Sequence, residues 1–201
     1  YAGNLLDIAK CLRNVEKLSG VNKVEVLKEL EILFADDEML YNNPAKKQEL
    51  LENYARECEN CTSGNTVLIS IDKICENLEH KAAWMMKNIR EREWISDGAD
   101  GGWFNGYYDN HGQQVEYCRQ GDVRMMLTSQ VFSIMSGTAR KDQIKLICRS
   151  ADKYLYEEKA GGYRLNTDFK EEKFDLGRMF GFAYGEKENG AVFSHMAVMY
   201  S

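Results

Sequence analysis

Between Gly177 and Gly190 four glycines and three aromatic residues surround Arg178 and Lys187, and Ala191-Val192-Phe193-Ser194 then leads to His195. The pattern starts a new helix at His195, where backbone N–H groups, an imidazole and an ammonium can converge on an anion. A plainer reading stays open beside it, because a lone histidine at a helix start also serves as a cap or a packed residue. A second candidate is the loop Trp103-Phe104-Asn105-Gly106-Tyr107-Tyr108, flanked by Asp97, Asp100 and Asp109. Flat apolar faces beside carboxylates suit a sugar ring, with stacking for its C–H face and acceptors for its hydroxyls. The same aromatics also fit a structural hairpin that plugs a helix layer.

Other chemistry-bearing residues carry less. The carboxylate pairs Asp36-Asp37, Glu157-Glu158 and Glu171-Glu172 lie in charged stretches and read as solvated faces, poor candidates for an acid/base pair. Cys58-Glu59-Asn60-Cys61 has CxxC spacing, but zinc would need two further ligands at motif spacing and a redox site would need a preceding strand. The stretch before it reads as a polar helix, so the spacing is taken as coincidence and no metal site is expected.

The elements that must position these residues follow from periodicity. Leu5, Ile8, Ala9, Leu12 and Val15 mark one apolar helical face from about Asn4 to Leu18. Val24 to Phe34 and Lys46 to Cys61 read as two polar helices separated by the only proline, Pro44, and the span 21–64 reads as a charged helical insertion packed on the outside. From Thr66 to about Glu93, Val67, Ile71, Ile74, Cys75, Leu78, Ala82, Met85, Met86 and Ile89 keep helical spacing, with Trp84 adding bulk. Shorter helices are predicted from Arg124 to Met135 and from Arg140 to Tyr154, the latter capped by Thr138. Gly161-Gly162-Tyr163-Arg164-Leu165 suggests a short hairpin. Thirteen of the sixteen glycines fall from Gly98 onward, so the predicted fold is all-α, with paired helices and aromatic, glycine-rich hairpin-like loops at one rim of an α/α toroid.

Composition bounds the function. The 201 residues are 44% hydrophobic and 29% charged, the balance of a globular chain with a real core. A net charge of −6 without a basic block argues against a nucleic-acid partner. No apolar run approaches the roughly 20 residues of a membrane span, and Tyr1-Ala2-Gly3-Asn4 does not open a signal sequence. Six cysteines without framework spacing point to reduced thiols in a cytoplasm. The chain opens without Met and stops in an apolar stretch at Ser201, so it reads as a piece of a longer polypeptide.

Trp103 to Asn110, Asp122 to Gly137, and above all Gly185-Glu186-Lys187-Glu188-Asn189-Gly190-Ala191-Val192-Phe193-Ser194-His195 resemble the family 94 glycoside phosphorylases. The likeness is nearest to 1,2-β-oligoglucan phosphorylases and to the C-terminal region of cyclic β-1,2-glucan synthases; it runs from Gly98 to Ser201 and extends to the helix at Asn4 to Leu18, with no match between Val21 and Gly64. It implies the C-terminal part of an (α/α)6 catalytic domain across 1–201. It also implies inverting phosphorolysis, in which phosphate attacks the anomeric carbon and an aspartic acid protonates the leaving oxygen. By the resemblance that acid lies upstream of Tyr1, His195 contacts phosphate and Lys187 sits near the acceptor sugar, while Glu188, Asn189 and Gly190 support the motif. Trp103 joins Lys187 and Arg178 as a sugar-binding candidate.

The chain departs from the cellobiose-type pattern at two places. Phe182-Ala183-Tyr184-Gly185 replaces a Tyr-Pro-Pro-Gly run, and Arg178 stands where those enzymes carry an acceptor-binding glutamate. Exchanging an acceptor for a donor implies a different acceptor sugar. The expectation is therefore a cytoplasmic enzyme fragment that cleaves β-glucan oligomers with inorganic phosphate and no cofactor, giving glucose 1-phosphate. Its partners would be the oligosaccharide, phosphate, the rest of its own polypeptide and other copies of itself, with no nucleic acid and no membrane contact. Two alternatives stand: the phosphorylase-like domain of a membrane-bound synthase, on the cytoplasmic face, and a non-catalytic carbohydrate-binding helical scaffold.

Overall fold

The computed structural model describes residues 1–34, 37–98, 100–119 and 121–201, and the chain forms two units, Tyr1–Met86 and Lys87–Ser201. Asp36 of the Asp36-Asp37 pair and Ala99 of the loop before Trp103 lie outside the described residues.

In the first unit, helix α1 (Ala2–Ser19) ends on Gly20 in the left-handed conformation, close to its predicted span. Strand β1 (Lys23–Leu27) follows, then a 3-10 turn at Lys28–Phe34. A helix from Val24 to Phe34 is therefore a misreading. Val24 and Val26 alternate with Lys23 and Glu25, and this β-branched, period-two stretch pairs antiparallel with β2 (Thr66–Ser70), Val24 opposite Ile69 and Val26 opposite Val67. Five residues predicted as the start of the long helix thus form its partner strand. Helices α2 (Glu38–Tyr41) and α3 (Pro44–Cys58) come between; Asn43 caps α3 by accepting the Lys46 N–H at 3.1 Å, with Pro44 in the first turn.

Helix α4 (Ile71–Arg92) carries the apolar stripe of this unit. Ala82, Met85 and Met86 pack on Ala2 and Leu5, and Ile71, Cys75 and Leu78 pack on Ala9, Leu12 and Val24. Trp84 anchors the charged segment, its indole N–H donating to Asn42 Oδ1 at 3.3 Å while Lys47 lies over its ring. Asn77 donates to the Phe34 carbonyl at 3.1 Å, and Lys81 donates to that of Leu33.

The helices of the second unit are joined by short strand pairs, as the expected hairpin-like loops require. Among the described residues, three antiparallel pairs occur beyond β1 and β2: β3 (Trp94–Ser96) with β4 (Gly102–Phe104), β5 (Tyr117–Arg119) with β6 (Asp122–Arg124), and β7 (Tyr156–Glu157) with β8 (Gly162–Tyr163). The last is the predicted glycine hairpin. Pairing of Arg124 with Tyr117 delays α5 to Leu127–Met135, later than its predicted start at Arg124. Helix α6 (Lys141–Tyr154) is capped at Arg140, whose N–H donates to Gln143 Oε1 at 3.1 Å. Thr138 does not cap it; its carbonyl accepts from Arg90 and its hydroxyl faces Ser136. Helix α7 spans Ser194–Tyr200.

The main core of this unit comprises Trp103, Met125, Leu127, Val131, Ala151, Leu155, Leu165 and Met196. A neighbouring cluster joins Phe104, Ala139 and Ile147 to Ile89, Trp94, Ile134 and Ile144. Residues from β4, α5 and α6 thus fix the frame on which the two glycine-rich loops are mounted. Among the described residues, no helix is long and apolar enough to cross a membrane.

Candidate functional site

The segment 164–167 ties together the chain around 125–127 and 190–192. Leu127 N–H donates to Leu165 O at 2.8 Å, Thr167 N–H to Met125 O at 3.0 Å, and Leu165 N–H to Ala191 O at 3.0 Å. At its centre Asn166 has no exposed surface. Its Oδ1 accepts the Gly190 N–H at 2.7 Å, and its Nδ2 donates to Asn189 Oδ1 and Thr167 O, each at 3.0 Å. Asn189 in turn donates to Phe182 O at 2.8 Å. A buried amide with its donors and acceptors engaged fixes one geometry, because each lost partner would leave a polar atom dry.

This lock shapes a tight turn. Gly185 N–H donates to Asn189 O at 2.7 Å and Asn189 N–H to Glu186 O at 2.9 Å. The turn forces Lys187 to φ 45°, a left-handed backbone that a non-glycine residue adopts at a cost. Gly190 has φ 75°, and a Cβ there would lie 2.2 Å from the Tyr184 ring, so both conformation and space require glycine. Arg164 braces the same turn: it donates to Gly190 O at 2.8 Å, pairs with Glu157 at 2.7 Å and lies over the Tyr184 ring.

The motif side chains then divide. Lys187 Nζ sits 4.7 Å from the Phe182 ring centroid, and the Arg178 guanidinium 5.6 Å from the same centroid. Arg178 also pairs with Glu188 at 2.6 Å, so Arg178 and Lys187 both lie against the Phe182 ring and Glu188 joins them through Arg178. His195 is exposed on the first turn of α7, its ring 5.6 Å from that of Phe193. The N-cap position of α7 belongs to Phe193, so His195 is neither a cap nor packed away. Among the described residues, no carboxylate pairs with Lys187 and none hydrogen-bonds the His195 ring. Asn189 and Gly190, known from sequence only as parts of the motif, emerge as the turn's internal support.

The aromatic loop differs from expectation. Trp103 has no exposed surface, and its indole N–H donates to Arg124 O at 3.1 Å. It is a core residue, not a stacking platform; the exposed rings are those of Tyr107 and Tyr108. The flanking carboxylates are also engaged. Asp97 accepts from Tyr154 at 2.6 Å and Lys153 at 3.0 Å, and the Tyr154 hydroxyl chiefly holds its carboxyl below the usual range. Asp109 accepts the Gln113 and His111 N–H groups, which likewise depress it, and Asp100 pairs with Arg149 at 3.5 Å. Asp97 and Asp109, held ionised in this way, are poor proton donors. Two of the pairs read as solvated faces are also anchored, Glu157 on Arg164 and Glu171 on Arg124 at 2.5 Å.

The sequence reading missed two polar centres beneath this loop. Glu93 accepts from Tyr108 at 2.7 Å, Asn105 at 2.9 Å and Gln114 at 3.1 Å. Glu116, fully buried, accepts from Gly106 N–H at 2.6 Å, Met126 N–H at 2.7 Å and the Ser129 hydroxyl at 3.0 Å. Desolvation pushes its carboxyl up to about 8 against the opposing pull of those donors. Gln130 completes the centre by exchanging hydrogen bonds with the Phe104 backbone at 2.8 and 2.9 Å. The available signal was Gln130 itself, the longest polar side chain in the stretch Leu127 to Met135. All six cysteines are free, and α3 ends at Cys58, three residues before the predicted end of the polar helix at Cys61.

Residues 68–199 match the glycosyl hydrolase 94 superfamily catalytic domain. A solabiose phosphorylase of Paenibacillus borealis is 29% identical over 108 residues, covering 53% of this chain and 14% of that protein. An N,N'-diacetylchitobiose phosphorylase of Vibrio proteolyticus is 29% identical over 113 residues, covering 55% of this chain and 14% of its own length. The chain thus spans about a seventh of the length of the curated relatives it matches.

Proposed function

Since the chain belongs to the glycosyl hydrolase 94 superfamily, we propose that it is part of an inverting glycoside phosphorylase acting on β-linked glucan oligomers, with β-1,2 linkages as the preferred class. The observation that carries this reading is the buried Asn166–Asn189–Gly190 lock, which holds Lys187 exposed at the tip of a rigid turn just ahead of His195. In this proposal His195 donates to the phosphate, and Lys187 and Arg178 donate to hydroxyls of the acceptor sugar. A phosphate oxygen forms the new bond to the anomeric carbon as the glycosidic C–O bond breaks, and an aspartic acid gives its proton to the leaving oxygen. That acid is assigned to no residue of this chain. The helices described here would form part of an (α/α)6 toroid with the hairpin loops at one rim.

Curated relatives that are phosphorylases of two different disaccharides support the reaction type more directly than the sugar. Arg178 bears on the sugar, since a paired guanidinium over Phe182 supplies donors where an acidic residue would supply acceptors. The test is release of sugar 1-phosphate by the intact protein from 1,2-β-glucan oligomers, cellobiose and solabiose, with and without phosphate. Phosphate-dependent release, greatest from the 1,2-linked oligomers, is expected. Free glucose formed equally well without phosphate would overturn the reading.

A further inference from the structure

We propose that Arg124 is a positioning residue for the acceptor sugar: through Glu171 and through the Phe169–Phe180 pair it sets where the segment 168–182 presents Arg178. The inference rests on the reading above that Arg178 donates to acceptor hydroxyls. Arg124 ends β6 and stands opposite Tyr117 across the β5–β6 ladder. It is 7% exposed, and its guanidinium lies over the Tyr117 ring at 4.8 Å and over the Phe169 ring at 4.9 Å. Its Nη2 meets Glu171 at 2.5 Å, and this hydrogen bond chiefly holds the Glu171 carboxyl below the ordinary glutamate range. The Glu171 side chain is itself 47% exposed, so the pair joins a buried cation to a carboxylate still in contact with water.

The segment leaves the frame at Thr167, whose hydroxyl donates to Val123 O at 2.8 Å and accepts the Met125 N–H at 3.1 Å. It returns at Phe182, whose carbonyl accepts from Asn189. Between these points most residues from 170 to 177 are exposed, and Lys170 takes φ 55°, so local sequence does not dictate the path. A few contacts do. Asn110 donates to Asp175 O at 3.2 Å, and Leu176 and Met179 pack on the cluster of Val115, Met126, Phe169 and Phe180. Arg124 holds the segment twice, at Phe169 and at Glu171. The Phe169 and Phe180 ring centroids lie 5.2 Å apart, and Phe180 belongs to the 3-10 turn Arg178–Gly181, so a shift at Phe169 reaches Arg178 within one turn. A buried arginine in an ion pair adds little net stability, because desolvating the cation offsets the attraction, and what it supplies is a fixed geometry. In keeping with that, its buried Nε has no hydrogen-bond partner among the described residues.

The experiment is kinetics of the intact protein at varied 1,2-β-glucan oligomer and varied phosphate, on Arg124→Met, Glu171→Gln, Arg178→Ala and the two double variants that add Arg178→Ala. Arg124→Met keeps apolar volume over the two rings and strands no buried charge, and Glu171→Gln alters a half-exposed group, so both should keep the urea midpoint. Each should raise the oligomer KM about threefold to tenfold, with kcat and the phosphate KM within about twofold of wild type. In the Arg178→Ala background neither should raise it further, because the group they position is gone. Additive effects in that background, or an oligomer KM unmoved by both single variants, would overturn the proposal while leaving the sugar role of Arg178 intact. An oligomer KM unmoved by Arg178→Ala itself would remove that role, and the proposal with it. Hydrogen exchange reads the same hold without turnover: Glu171→Gln should speed exchange several-fold in 168–182 and not in 185–190, and unchanged exchange would overturn the proposal whatever the activity.

Discussion

His195 and Arg178 make different predictions because the structure places them differently. His195 stands exposed, without a hydrogen-bond partner among the described residues. In the intact enzyme His195→Ala should raise the phosphate KM by about tenfold to a hundredfold, the effect of removing one donor to an anion. Kinetics at varied phosphate measure it, and an unchanged phosphate dependence would leave His195 without that role. Arg178 is already paired with Glu188, with 75% and 38% of the two side chains exposed. Such a pair is worth about 0–1 kcal/mol, so Arg178→Glu should barely alter stability while weakening use of the natural oligomer. Adding Glu188→Arg restores the ion pair with reversed polarity. If Arg178 contacts sugar, activity should stay low in this double variant, and recovery to the wild-type rate would reduce Arg178 to a partner of Glu188.

At the scale of elements, the turn from Gly185 to Gly190 depends on a side chain 23 and 24 residues away in sequence from the partners it holds. Asn166→Ala would strand the Gly190 N–H and remove the partner of Asn189, which should cost about 2–4 kcal/mol. Urea unfolding would show the loss, and an unchanged midpoint would mean that the turn holds itself. Gly190→Ala acts more locally, through φ 75° and the Tyr184 ring, and should lower activity more than it lowers the unfolding midpoint. The start of α5 is governed in the same manner: Glu116 accepts the Met126 N–H just ahead of the helix and the Gly106 N–H of the aromatic loop, so one carboxyl sets both.

That carboxyl also gives the whole molecule a pH dependence. With Glu116 near its ordinary 4.5 when unfolded and pushed up to about 8 by burial when folded, the native state holds one more proton between those values. Its contribution to stability is therefore fully present below about pH 4.5 and is lost as pH rises through 8, with a limiting slope of about 1.4 kcal/mol per pH unit. The Ser129 hydroxyl is the partner that can accept the extra proton, since the Gly106 and Met126 contacts are obligate donors. Glu116→Gln should flatten this slope and lower stability by about 1–3 kcal/mol, because an amide nitrogen must face one of those donors. Urea midpoints measured from about pH 5 to about pH 9 decide the matter, and a slope unchanged in the variant would assign it to another group.

The sequence by itself determined the long helices, the chemistry-bearing turn and the family likeness. Apolar residues at helical spacing fix α1, most of α4 and α6 by local periodicity, and Gly190 announces a backbone conformation that few residues adopt. It did not determine that Val24 and Val26 form a strand, because that outcome needs Val67 and Ile69, more than forty residues away. Nor did it determine that Trp103 is buried while Tyr107 and Tyr108 are exposed, since the loop's alternation leaves either set free to face the core. The supports of the site were the least legible part. Asn166 and Glu116 gain their roles only when distant backbone amides are brought to them, and in the linear chain each is one polar residue among many. Periodicity encodes which face is buried, whereas the satisfaction of buried polar groups is settled only when packing has removed water and left specific partners within reach.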